Sequence, residues 1–164
     1  MWDMTSEDVL PPLTPELNVR DLNKSLDFYV RLLGFSVQFE RLEEGFAAIS
    51  LGGAALMLDQ IDTFDAVSDR EFVEQRKWIT GKLEHPFGRG LNLQIHMKDL
   101  DEVYDRLVKN GYPINFPLEE RWYRVKDQMI GVRQFMVMDP DGFLLRFEKS
   151  IGHKPVGAQT QSEY

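Results

Sequence analysis

The chain has no cysteine, which excludes disulfides, thiolate metal sites and cysteine nucleophiles. Histidine is scarce too: His85, His96 and His153 are the only imidazoles available to a metal. No apolar run approaches the roughly 20 residues of a membrane span. The opening Met1-Trp2-Asp3-Met4-Thr5-Ser6-Glu7-Asp8 is acidic where a secretory leader is basic and then apolar. A cytoplasmic protein with no membrane partner is the expectation. Basic charge is also short, with 19 Lys and Arg against 27 Asp and Glu. That balance argues against nucleic acid, whose phosphates need a concentrated basic surface, and slightly favours a cationic ligand. Ser25, Ser36, Ser50 and Ser68 lack the glycine pattern of a nucleophile elbow, and no phosphate-cradling glycine loop precedes a helix. The adjacent pairs Glu43-Glu44 and Glu119-Glu120 read as solvated turn charges, because acid and base carboxylates must converge on one bond.

What is present is said nearly twice. Leu17-Asn18-Val19-Arg20-Asp21-Leu22 and a helical stretch closed by Gly34-Phe35 recur as Ile95-His96-Met97-Lys98-Asp99-Leu100 and a helical stretch closed by Gly111-Tyr112. A constant offset pairs Asp21 with Asp99, Asp27 with Asp105 and Val30 with Val108. Leu13, Pro15, Leu17 and Val19 alternate with polar residues, the period of a strand. Leu22, Leu26, Tyr29, Val30 and Leu33 then follow at helical spacing. Phe35 to Glu40, Phe46 to Leu51 and Ala54 to Asp59 are strands separated by glycine-bearing turns. The second copy reads as a strand from Leu91 to Met97 and a helix face of Leu100, Val103, Tyr104, Leu107 and Val108. Strand segments follow at Tyr112 to Asn115 (weak), Trp122 to Val125, Val132 to Met138 and Phe143 to Glu148. The last one follows the turn Asp139-Pro140-Asp141-Gly142.

The pattern predicts an α+β fold of two tandem βαβββ modules forming a cupped mixed sheet around a cleft. The divisions are an N-terminal arm over 1–12, a first module over 13–60, a connecting helix and loop over 61–90, a second module over 91–149 and a flexible tail over 150–164. Ser68 and Glu71 have the form of a capping box for the connecting helix. The faces that the modules turn towards each other are the expected place for a ligand.

The order and spacing of these motifs resemble the glyoxalase, bleomycin resistance and extradiol dioxygenase superfamily, over roughly Leu13 to Lys149. The resemblance implies two half-cups enclosing a cleft, which in the family's enzymes holds a divalent metal on histidine, glutamine or glutamate. Counted from the matching motifs, the four ligand positions here are Thr14, Asp59, Asn92 and Arg146. Three of these are not usual catalytic ligands, and a guanidinium has no lone pair to give. The metal-free bleomycin resistance branch is therefore nearest: Phe46-Ala47-Ala48-Ile49 resembles its drug-stacking strand, and Phe143-Leu144-Leu145-Arg146-Phe147 its arginine-bearing last strand.

One departure is Gly131, at a position where some members of that branch carry tryptophan; Trp122 or Tyr123 would have to supply the ring. The resemblance thus implies a protein that sequesters a cationic, flat-aromatic drug without chemistry or cofactor, using Phe39, Phe46 and Trp122 as stacking surface and Asp59, Asn92 and Arg146 as polar anchors. Asp59 and Arg146 would pair in place of a metal. The alternative is a metal-dependent glyoxalase- or dioxygenase-like enzyme built on Asp59, His96 and Glu148. A homodimer with an exchanged N-terminal strand is also implied, and Pro11-Pro12 and Pro15 would suit such an arm.

Overall fold

The computed structural model describes residues 10–61, 79 and 81–157. The first module runs β1 (Glu16–Val19), α1 (Leu22–Leu26), a π-helical continuation (Asp27–Leu32), β2 (Ser36–Arg41), a 3-10 turn (Leu42–Glu44), β3 (Phe46–Leu51) and β4 (Ala54–Gln60). The second runs β5 (Asn92–His96), α2 (Leu100–Lys109), β6 (Phe116–Val125), β7 (Gln128–Met138) and β8 (Leu144–Pro155). Each makes its own four-stranded sheet, in the orders β1-β4-β3-β2 and β5-β8-β7-β6. The outer pairs β1/β4 and β5/β8 are parallel and the rest antiparallel, so both copies of the repeat fold alike.

Local chemistry sets the ends of the first helix. The Asp21 carboxylate accepts the Lys24 amide at 3.1 Å, a side-chain cap, and Gly34 at φ 85° closes the C-terminal end. Between them the chain widens into π turns, with the Leu33 amide bonding the Phe28 carbonyl at 3.1 Å. The widening rotates the apolar face, so Phe28, Tyr29, Leu32 and Leu33 are buried and Val30, expected inward, is exposed. On α2, Leu100, Val103 and Leu107 are buried while Val108 faces out.

The strands differ from expectation at the proline-bearing ends. Leu13 is 83% exposed and Thr14 lies before β1, its hydroxyl donating to the Pro11 carbonyl at 3.0 Å. Pro15 offers no amide to a ladder, and β1 begins just after it. Tyr112 to Asn115 is not a strand. Pro113 interrupts its donors, Tyr112 donates its hydroxyl to the Met138 carbonyl at 2.9 Å, and the Asn115 side chain accepts the Met138 amide at 2.8 Å. The strand there is β6, which with β7 makes a long hairpin, and β8 continues to Pro155, into the stretch read as a flexible tail. The connecting helix expected around Ser68 lies outside the described residues; Ile79, at its end, packs with Ile61 and Leu83.

One core serves both modules. Leu17, Val19, Ile49 and Leu58 of the first sheet and Ile95, Phe135, Leu145 and Phe147 of the second close on the two helices through Phe28, Tyr29, Leu100 and Leu107. Polar bonds lock the modules together at the turn between β7 and β8. Tyr29 donates its buried hydroxyl to Asp139 Oδ2 at 3.0 Å, while Arg20 Nε donates to Asp141 Oδ1 at 2.7 Å. The same turn presses Gly142, at φ 87°, so close to Pro86 that an added Cβ would lie 2.4 Å from the proline Cβ. Gly142→Ala therefore combines a left-handed backbone with an overlap that neither ring nor turn can relieve. It should cost about 3 kcal/mol or more, read as a lowered urea midpoint with unchanged slope.

Candidate ligand-binding faces

Successive strand residues point to opposite sides of a sheet, so the core assignments above define an outer face on each sheet. On the first sheet the outer face brings together three of the expected site residues. Phe46 sits directly across from Asp59, and Phe39 across from Ala48. The two phenylalanine rings stack with centroids 6.0 Å apart and planes 27° apart. Arg41 lays its guanidinium 4.1 Å from the Phe46 ring centre. Glu16 borders the patch: partial burial, and then the nearby Asp59 charge, hold its carboxyl above the ordinary range.

The outer face of the second sheet carries Asn92 at its exposed rim and Arg146 at its centre. Arg146 Nε donates to Gln134 Oε1 at 2.9 Å, and its guanidinium lies 5.4 Å from the Tyr123 ring centre. The Gln134 amide nitrogen donates to Glu119 and to the Tyr123 hydroxyl, each at 2.9 Å, so this buried side chain is satisfied at both ends. The bond from Gln134, with that from Arg121, holds the Glu119 carboxyl below its ordinary range. The acid beside Arg146 is Glu148, at 3.9 Å, whereas Asp59 lies in the other sheet. The expected pairing of Asp59 with Arg146 is thus replaced by a network within one module.

Of the two rings named as stand-ins at Gly131, each does something different. Trp122 covers Gly131 so closely that a Cβ there would lie 2.8 Å from the indole, and Lys154 caps the ring at 4.1 Å. Its neighbour Tyr123 points to the other side, where Arg146 is. Sequence reasoning passed over Gln134, Glu119 and Glu16. The alternation of Gln134 with the core residues Phe135 and Val137 was the available signal for the first of these.

Most of the face that each module turns towards the other is filled by helices and core side chains. The half-site of Phe39, Phe46 and Asp59 and the half-site of Asn92, Gln134 and Arg146 face outward from opposite sides of that core.

The divalent metal of the family's enzymes does not fit these residues. The register pairs Glu16 with Met57 as it pairs Gln94 with Arg146, which makes Met57 the counterpart of Arg146 and Asp59 that of Glu148. The equivalent positions are then Thr14, Met57, Asn92 and Arg146, none of them a carboxylate or imidazole. Of the alternative trio, His96 and Glu148 are cross-strand neighbours but Asp59 is in the other sheet. Among the described residues no three His, Asp or Glu side chains converge. No helix among them is long and apolar enough to cross a membrane.

The two βαβββ units in tandem match a known family. The model of the Glyoxalase/Bleomycin resistance protein/Dioxygenase superfamily matches residues 12–147, and the chain belongs to that superfamily. Bleomycin resistance proteins from Geobacillus stearothermophilus and Staphylococcus aureus are each 28% identical over 141 residues, covering 84% of this chain and 95% of theirs. Among solved structures, TioX from Micromonospora sp. ML1 superposes with TM-score 0.60 at 22% identity, over 85% of this chain and 98% of its own. A superfamily member from Nocardioides gives 0.59 at 19%, over 95% and 93%.

Proposed function

We propose that the chain is a cytoplasmic, homodimeric drug-binding protein of the bleomycin resistance type, which sequesters a cationic, flat-aromatic molecule without chemistry or cofactor. The observation that carries this reading is the outer face of the first sheet, where Phe39 and Phe46 stack beside Asp59 and Glu16. Stacked rings next to carboxylates suit a flat aromatic body bearing positive charge. Arg146 in a former ligand position supports binding over metal chemistry, because a guanidinium has no lone pair to give a metal. The outward orientation of the half-sites supports a dimer, in which Phe46 of one copy and Arg146 of the other share a cleft. The bleomycin resistance proteins of similar sequence make bleomycin the first ligand to test.

The experiment is titration of the protein with metal-free and with copper-loaded bleomycin, followed by tryptophan fluorescence. Saturable quenching near one drug per chain is the expected result. No saturable change at micromolar protein would remove bleomycin as the ligand. Stoichiometric zinc, nickel, manganese or iron in protein purified without chelator would overturn the metal-free reading itself.

A further inference from the structure

The two copies of the repeat meet at two pseudo-equivalent joints, and only one of them is filled. At the first, the turn between β7 and β8 supplies Asp139 and Asp141, which are met by Tyr29 and Arg20. At the second, the turn between β3 and β4 is only Gly52-Gly53 and supplies no side chain. It abuts the β5–α2 junction, since a Cβ on Gly52 would lie 3.9 Å from the His96 carbonyl. A cavity of about 320 Å³ opens there, floored by Leu33, Leu51, Met97 and Val103.

Lys98 holds the place in the repeat that Arg20 holds at the first joint, but it has no turn aspartate to pair with. Arg106 lines the same cavity and commits one guanidinium nitrogen, to the Leu32 carbonyl at 3.1 Å. Asp99 and Glu102 stand at the rim, and Asp99 makes no side-chain cap bond to α2. The walls therefore offer two cations, two carboxylates and an apolar floor, in a volume at the small end of ligand pockets.

We propose that this cavity binds a small zwitterion of the α-amino acid class with an apolar side chain. Its carboxylate takes the place that Asp141 occupies at the first joint, against Lys98 and Arg106. Its ammonium group faces Asp99 and Glu102, and its side chain covers the apolar floor. A dianion is disfavoured by the rim acids, and an amine without a carboxylate leaves the two cations unanswered. The site is separate from the outer sheet faces and stands or falls independently of drug binding.

The test is calorimetric titration of the full chain with L-leucine and L-methionine, alongside isoamylamine and 4-methylpentanoate as analogues carrying one charge each. Saturable binding of the amino acids is expected, with both analogues about tenfold weaker or worse, the loss of one charge-assisted contact. Lys98→Met should weaken L-leucine about tenfold for the same reason. Gly52→Asp should abolish binding, because the new carboxylate fills the vacant place from within, at a φ of 55° that strains aspartate less than most side chains. Lys98 is exposed, so its variant carries the test if Gly52→Asp fails to fold. No heat with either amino acid at millimolar concentration, analogues that bind as well, or undiminished binding in K98M would each overturn the proposal.

Discussion

Replacing Asp139 with alanine should lower the unfolding free energy by about 3 kcal/mol or more, the largest loss expected from one polar side chain in this fold. Asp139 Oδ1 accepts the amides of Asp141 and Phe143 at 3.0 and 2.9 Å, and Oδ2 accepts the Tyr29 hydroxyl at 3.0 Å. Tyr29 is fully buried between the modules, so the alanine variant strands a phenol and two turn amides away from other partners. The same acid should make stability depend on pH. Burial pushes the Asp139 carboxyl up to about 6 from an ordinary 3.8, and the Asp141 charge adds to that, while the bonds from Phe143, Tyr29 and Asp141 oppose it.

A carboxyl that holds its proton more tightly when folded stabilises the fold most at low pH. Its contribution is full below about 4 and is lost as pH rises through about 6, on the order of 3 kcal/mol in all. Asp139→Asn keeps an acceptor for the turn amides and a polar partner for Tyr29 without titrating. The urea-unfolding difference between wild type and D139N should therefore slope across that window and level off above it, while D139A is weaker at every pH.

If the proposed site holds, Arg146→Ala should weaken drug binding on the order of a hundredfold and also cost about 1–2 kcal/mol of stability. The binding loss follows from its position at the centre of the second half-site beside the Tyr123 ring. The stability loss follows from Gln134, which is 2% exposed and would lose the donor to its Oε1. Arg146→Lys separates the two effects. An ammonium can still donate to Gln134, but it lacks the flat fork that lies against Tyr123 and a ligand. Its unfolding midpoint should return towards wild type while drug affinity remains poor, checked by urea unfolding and fluorescence titration on the same preparations.

Much of this architecture was legible in the chain. Asp21 and Gly34 marked the first helix, and Asp139-Pro140-Asp141-Gly142 marked the turn, because caps and tight turns depend on a few local residues. Counting from the matching motifs likewise picked out Asn92 and Arg146, which the register of β5 and β8 puts on one face. What alternation does not show is what covers each face. The helices and the common core lie on the opposite side of both sheets, so both groups turn outward and, within one chain, Arg146 has Glu148 as its neighbouring acid while Asp59 lies in the other sheet. The π-helical turns over Asp27–Leu32, which leave Val30 exposed, are announced by no local pattern. The long β6 was hidden for a different reason. Glu119-Glu120-Arg121 reads as a polar turn, yet on the strand these residues satisfy Gln134 and Arg133 across the hairpin.

The central claim, that a complete ligand site joins the Phe46 face of one copy to the Arg146 face of another, can be tested by complementation. Phe46→Ala and Arg146→Ala proteins should each bind no bleomycin at micromolar concentration. Mixed, unfolded together and refolded, half of the dimers become mixed, and one of their two clefts contains neither substitution. Titration should then recover about a quarter of the wild-type sites at wild-type affinity. No recovery from a mixture that sedimentation shows to be dimeric would mean that each cleft lies within a single chain, and would contradict the account.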